Sequence, residues 1–248
     1  MDLYKNMKSI ARPMTNIARQ AWARLMPGEL EFYHEYSKLG LSLPQRADNY
    51  PLNQQAKEPI LTRYLQHAIS ALRNERPITV CELFCADAYY SFLARKMGAD
   101  HSDAFDNDRD GHLREARHVM GLLGETGVTL HKQSVFRIDP NYRASIVMNT
   151  GGLYHVADPL EALQISATLA KRFLIVQTVV SLANESPDYF ETPGPGWTWG
   201  SRFSHAWIER AVSGLGFTLL QSERNVLEGN DRPEDRGSSY FLLERAAR

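Results

Sequence analysis

The stretch Ile78-Thr-Val-Cys-Glu-Leu-Phe-Cys-Ala-Asp-Ala-Tyr-Tyr-Ser91 decides the fold. Apolar and β-branched residues from Ile78 to Val80 predict a buried strand that Glu82 closes with a carboxylate. Ser91-Phe-Leu-Ala-Arg-Lys-Met97 then continues at helical spacing until Gly98 stops it. A second short strand, Ser102 to Phe105, ends in Asp106. An acid at the tip of the second strand is where an open α/β sheet holds ribose hydroxyls, because a nucleotide lies across the carboxyl ends of the strands. The unit reads as a nucleotide-binding strand, turn and helix, with Glu82 and Asp106 as its two acids.

Strands and helices alternate outward from this unit, the pattern of a mostly parallel sheet covered on both faces. The third and fourth strands are expected at Val128 to His131 and Ser145 to Met148, the fifth at Phe173 to Val180, and the last two at Phe217 to Glu223 and Ser239 to Leu243. Helices are expected over Gly111 to Leu123, Pro159 to Leu169 and Ser204 to Leu215. The predicted architecture is a Rossmann-like α/β fold, a seven-stranded sheet with helices on both faces and an N-terminal helical cap. The polar segment Leu227 to Gly237 predicts an exposed hairpin loop.

The fourth strand runs into Asn149-Thr-Gly-Gly-Leu-Tyr-His-Val-Ala-Asp-Pro-Leu160. Its Gly-x-Leu-Tyr-His-x-x-x-Pro-Leu pattern, Gly151 through Leu160, resembles class I S-adenosylmethionine-dependent methyltransferases. The likeness is to the subgroup of tRNA wobble-uridine (carboxy)methyltransferases and their small-molecule relatives. Ala86-Asp87 followed by Tyr90-Ser91-Phe92 is similar to that subgroup's first motif, and the similar region covers roughly Pro77 to Arg245. Phe84, Ala86 and Ala88 stand where the family usually shows glycines. The resemblance implies S-adenosylmethionine as cofactor, cradled by Glu82, Cys85, Ala86, Asp106, Asn107, Ser134, Val135 and Asn149. Ser134 and Val135 follow the third strand, where family members often carry an acid for the adenine amino group.

Composition sets the frame. At 248 residues the chain fits one domain with an N-terminal addition, divided as a helical extension or lid over 1–58 and a methyltransferase domain over 59–248. Hydrophobic residues at 43% and charged residues at 23% are ordinary for a soluble globular protein, so a core forms without staples. The two cysteines, Cys81 and Cys85, fall in the first strand and its loop, which argues against a disulfide framework or a paired-Cys metal site. Neither a run of about 18 apolar residues nor a signal-peptide pattern occurs. A cytoplasmic protein that keeps its whole chain is expected. A net charge of -1 gives no global attraction for nucleic acid, which disfavours an RNA substrate while leaving a local patch open.

Such a patch exists at the start, where Lys5, Lys8, Arg12, Arg19 and Arg24 face only Asp2. Ile10, Met14, Ile17, Ala21, Trp22 and Leu25 recur near helical spacing. This amphipathic segment is a candidate lid, membrane-surface contact or dimer arm for a homo-oligomer, or a helix packed on the domain. A further short helix is expected over Glu29 to Ser37, a loop over Leu41 to Pro51, and a helix over Ile60 to Arg73.

Methyl transfer is an in-line displacement, so such a site needs an aligned cradle and few acid-base groups. Tyr154 is placed to face a sulfonium by cation-π contact, and His155 to take a hydroxyl proton, with His205 as the competing base. The competing reading is that Tyr154 and His155 pack their loop onto the next helix. The segment Thr192-Pro-Gly-Pro-Gly-Trp-Thr-Trp-Gly-Ser-Arg-Phe-Ser-His205 is the substrate candidate, with Trp197, Trp199 and Phe203 as flat apolar faces and Arg202 as a cation. Alternatively these rings bury against the N-terminal helices. The sequence favours O-methylation of a small metabolite or saccharide. Its rivals are a tRNA wobble-uridine enzyme and a non-catalytic scaffold that kept the fold and lost the cofactor.

Overall fold

The alternating elements build one seven-stranded sheet in the computed structural model, which describes residues 30–245. Its strands are β1 (Thr79–Leu83), β2 (His101–Asp106), β3 (Val128–Lys132), β4 (Ala144–Thr150), β5 (Ala170–Val180), β8 (Thr218–Val226) and β9 (Gly237–Glu244). Between them β6 (Phe190–Glu191) and β7 (Arg202–Phe203) pair as a separate ribbon. The order is β3-β2-β1-β4-β5-β9-β8. β9 runs antiparallel to both neighbours, and the other pairings in the sheet are parallel. This is the Rossmann-like sheet expected above.

Helices α1 (Tyr50–Ala71), α2 (Tyr89–Lys96), α3 (Leu113–Leu123), α4 (Pro159–Leu169), α5 (His205–Ser213) and the single turn α6 (Pro233–Arg236) complete the fold. Side chains alternate across the strands and so feed two cores. Val80, Ala104, Ile146, Met148 and Phe173 pack with Leu65 of α1, Phe92 of α2 and Val119 of α3. Cys81, Leu83, Val147, Leu174 and Val176 pack with Leu163 of α4 and Ile208 of α5. Among the described residues, no helix is long and apolar enough to cross a membrane.

The N-terminal region differs from expectation. Residues 30–36 form no helix: Phe32 makes an isolated bridge with Gln45, and only Ser37–Leu39 closes a 3-10 turn. The aromatics that suggested a helix are each drawn onto a different neighbour, Phe32 onto His118, Tyr33 onto His112 and Tyr36 onto Tyr89. α1 begins ten residues before the helix expected from Ile60, and therefore runs through the boundary placed after residue 58. The basic amphipathic segment from Ile10 to Leu25 lies outside the described residues.

Candidate active site

Register brings three strand ends level, with Leu83 beside Phe105 on one side and Asn149 on the other. The loops that follow therefore meet at the carboxyl edge of the sheet. They line one cleft of about 780 Å³ with Phe84, Cys85 and Ala86 from the first loop, Asp106 to His112 in part from the second, and Thr150 to Val156 in part from the third.

The first loop is held in an unusual backbone shape. Phe84, Ala86 and Ala88 all adopt left-handed conformations, with φ of 56°, 46° and 60°. These are the three positions at which the resembled motif uses glycine, so the conformational demand is present and L-residues meet it, at about 1–2 kcal/mol each. The Phe84 ring covers Gly152, where an added Cβ would sit 1.9 Å from the ring. Position 152 therefore has room only for glycine while the Phe84 ring stays where it is.

The two predicted acids are both anchored. Oε2 of Glu82 accepts the Ser91 N–H at 2.7 Å and the Ser91 hydroxyl at 2.6 Å, so this carboxyl serves the start of α2 while lining the cleft. Burial pushes its pKa up to about 8. Asp106 accepts the Ala86 N–H on Oδ2 at 3.1 Å and the Asp108 N–H on Oδ1 at 2.6 Å. Burial raises its pKa in spite of these donors. Each oxygen retains acceptor capacity for a hydroxyl.

The N-terminal loop is fastened to this cradle through Asp87, which is wholly buried. Its Oδ2 accepts the His34 N–H at 2.9 Å, its Oδ1 lies 2.6 Å from His34 Nδ1, and its carbonyl accepts the Tyr36 hydroxyl at 2.9 Å. Burial alone would raise the Asp87 carboxyl, but the His34 charge and these donors hold it below the usual range. Arg46 adds an ion pair to Glu115 at 2.8 Å.

In the same cleft, rings and guanidinium groups stack in series. Arg109 lies over Trp199, Trp199 stacks on His155 at 5.2 Å, and His155 meets Tyr154 at 4.1 Å. Arg202 lies over both Tyr154 and Trp197, at 5.3 and 5.8 Å. Arg202 is buried, ion-pairs with Asp235, and donates to the Ser201 carbonyl at 2.8 Å. Burial, reinforced by Arg109 and Arg202, lowers the His155 pKa to about 4, so its imidazole is neutral at pH 7. Its Nδ1 is buried and has no hydrogen-bond partner.

The segment Leu227 to Gly237 is a roof rather than a free loop. Asn230 Oδ1 accepts from Asn49 Nδ2 at 2.7 Å, and Asn230 Nδ2 donates to the Asp235 carbonyl at 2.6 Å. Gly229 packs so closely on Asn49 that a Cβ would approach its Cβ to 2.6 Å. Polarity in this segment serves contacts with α1, a use that local composition does not distinguish from solvation.

Of the residues singled out in the sequence, the cleft gathers Glu82, Cys85, Ala86, Asp106, Asn107, Tyr154, His155, Trp197, Trp199 and Arg202. Ser134 instead precedes a 3-10 turn in which Val135 is buried in the second core. Asn149 is fully buried and donates to Ser166 Oγ of α4 at 2.9 Å. Phe203 stacks on Trp207 in the core, and His205 lies 2.8 Å from Ser239 Oγ. Sequence reasoning missed His34, Asn53, Lys57, Arg109, Gln177 and Arg232, which also line the cleft. None lies in a motif: His34 fell in an expected helix, Gln177 in the expected fifth strand and Arg232 in an expected loop, while Asn53, Lys57 and Arg109 fell between expected elements. Cys81 and Cys85 are free thiols. Among the described residues no group of His, Cys, Asp or Glu is arranged to hold a metal.

No protein-family model and no curated protein sequence matches the chain. Solved structures do. The N-terminal domain of EvdMO1 with SAH bound is 23% identical, with a TM-score of 0.63 over 94% of this chain and 98% of that one. The same domain crystallised in the presence of SAH and D-fucose gives a TM-score of 0.62 at 18% identity, covering 94% and 98%. Magnesium protoporphyrin IX methyltransferase (ChlM) from Synechocystis PCC 6803 with bound SAH gives 0.59 at 15% identity, over 86% and 93%. The [4+2]-cyclase SpnF gives 0.58 at 12% identity, over 75% and 81%. The chain therefore has the Rossmann-like fold of class I methyltransferases.

Proposed function

We infer that this protein transfers a methyl group from S-adenosylmethionine to a hydroxyl of a small metabolite or saccharide. Fold alone does not carry the inference, since SpnF shares the fold and is a cyclase. The observation that carries it is one cleft lined both by a nucleoside-type cradle and by His155, whose buried Nδ1 has no hydrogen-bond partner. The N-terminal domain of EvdMO1 was crystallised in the presence of SAH and D-fucose, which supports a saccharide-sized acceptor.

The residues present fit the cofactor. Asp106, fixed by two backbone donors, would receive ribose hydroxyls, and Glu82 and the Ala86 loop would hold the amino-acid end. When bound, S-adenosylmethionine supplies an electrophilic methyl carbon. The Tyr154 ring, which lines the cleft with Arg202 over it, would offer an apolar surface to that group. An acceptor hydroxyl would donate to the unpartnered Nδ1 of neutral His155. An oxygen gaining a third bond becomes strongly acidic, so a base with a pKa of about 4 suffices to take its proton.

Calorimetric titration with S-adenosylmethionine and S-adenosylhomocysteine tests this. Micromolar binding, about -8 kcal/mol, weakened at least tenfold by Asp106→Ala, is expected. No binding of either ligand to folded protein overturns the assignment and leaves the scaffold reading.

A further inference from the structure

The cleft holds several cations, and all but one have acidic partners. Arg46 pairs with Glu115, Arg109 with Asp110 at 3.2 Å, Arg202 with Asp235, and Arg232 lies 3.8 Å from Glu234. Lys57, on the second turn of α1, lines the same cleft. Among the described residues it has no ion pair and no hydrogen bond. Burial, with no carboxylate to offset it, draws its ammonium pKa down to about 8. The group is still mainly charged at pH 7, and Lys57 and His155 both line this cleft.

One turn earlier, Asn53 lines the cleft with a buried Oδ1 that has no partner. Its orientation follows from its neighbours. The Asp235 carbonyl needs a donor, which fixes Asn230 Nδ2 toward it and turns Asn230 Oδ1 toward α1. Asn53 Nδ2 then donates to that oxygen at 3.3 Å, which turns Asn53 Oδ1 away. His155 Nδ1 is likewise unpartnered. A buried charge or acceptor without a partner is costly, and a ligand that supplies the partner removes the cost.

We propose that the methyl acceptor is a hydroxylated anion, a polyol or sugar bearing a carboxylate or phosphate, whose charge Lys57 receives while Asn53 Oδ1 and His155 Nδ1 accept its hydroxyls. The assignment rests on the methyl-transfer reading above and specifies its substrate class. It also separates recognition from chemistry: the charged group anchors on α1, and the reacting hydroxyl is presented toward the loop after β4.

The test uses the full chain, as wild type, Lys57→Gln and Lys57→Arg. S-adenosylhomocysteine is titrated first, and the loaded protein is then titrated with glucuronate, glucose 6-phosphate and glucose. Expected is S-adenosylhomocysteine affinity within twofold in all three proteins. In wild type, at least one charged sugar binds tenfold or more tighter than glucose; Lys57→Gln abolishes this preference and Lys57→Arg retains most of it. Equal binding of glucose and the charged sugars, or no binding of either charged sugar, overturns the proposal. A tenfold loss of S-adenosylhomocysteine affinity in Lys57→Gln also overturns it, because the cofactor's own carboxylate is then the anion. If S-adenosylhomocysteine fails to bind while the charged sugars bind through Lys57, the methyl-transfer reading falls and the anion site stands.

Discussion

Replacing Ala86 by glycine is expected to stabilise the protein, and the same change at Ala88 is not. Both residues are left-handed, at φ 46° and 60°, and an L-residue there costs about 1–2 kcal/mol. Glycine removes that cost and returns about 0.5–1 kcal/mol through the greater entropy of the unfolded chain. The remaining term is the methyl group, about 0.8 kcal/mol when fully buried. Ala88 is fully buried in the first core and loses that whole amount, whereas Ala86 is partly exposed at the cleft and loses a fraction of it. The sums give about +0.5 kcal/mol for Ala86→Gly and zero or slightly below for Ala88→Gly. For a chain of this size that is a rise in Tm of about 1–2 °C in the first variant and none in the second. Thermal denaturation followed by circular dichroism, with urea titrations for the free energies, reads both. A Tm that falls by several degrees in Ala86→Gly, or a larger gain at Ala88 than at Ala86, would refute the view that backbone strain dominates this loop.

Three further outcomes follow from the geometry. Gly152→Ala forces a Cβ into the Phe84 ring, and urea denaturation is expected to show a loss of about 1–3 kcal/mol, with weaker S-adenosylhomocysteine binding as the two loops separate. Arg202→Met leaves Asp235 with only Arg232, 3.8 Å away, as a cationic partner, so a loss of about 1–3 kcal/mol is expected, with a changed tryptophan emission as Trp197 loses the guanidinium over its ring. His155 carries a pH signature: its folded pKa of about 4 lies below the ordinary 6.5, so the unfolded chain binds the extra proton between those values. Its contribution is fully present above pH 6.5 and is lost as pH falls toward 4. His155→Gln should therefore flatten the difference between urea midpoints at pH 5 and pH 7.5, and an unchanged difference would refute the buried neutral imidazole.

The fold was legible because the central strands are buried on both faces and read as short apolar runs with caps and glycines between them. Val80 and Cys81 feed opposite cores, and both are apolar, so no competing period obscures β1. α1 was legible only in part, for a physical reason. From Leu61 to Ile69 its inward face is apolar, but its first turns turn Gln54 and Glu58 inward as buried polar residues. Gln54 bonds the Glu35 carbonyl at 3.1 Å, and Glu58 accepts the Tyr89 hydroxyl at 2.7 Å. A helix whose inner face meets a cleft and a polar loop has no hydrophobic period to read there.

The candidate site divides along the same line. Glu82 and Asp106 stand at the carboxyl ends of β1 and β2, and Tyr154 and His155 lie in the connection that follows β4; the sheet fixes where these ends and the connection go, so motif and position agree. Lys57, Asn53 and Asn230 reach the cleft through α1 and the β8 to β9 connection, and their neighbours are set by tertiary packing alone. The Asn49 to Asn230 bond joins residues 181 apart in sequence, and no local pattern encodes it. The proposed cradle thus lies where the sheet puts it, whereas the groups proposed to choose the acceptor lie on segments that the sheet does not position. That division is why S-adenosylhomocysteine affinity and preference among sugars are separable measurements, and why the second is the one that can tell this protein apart from others with the same sheet.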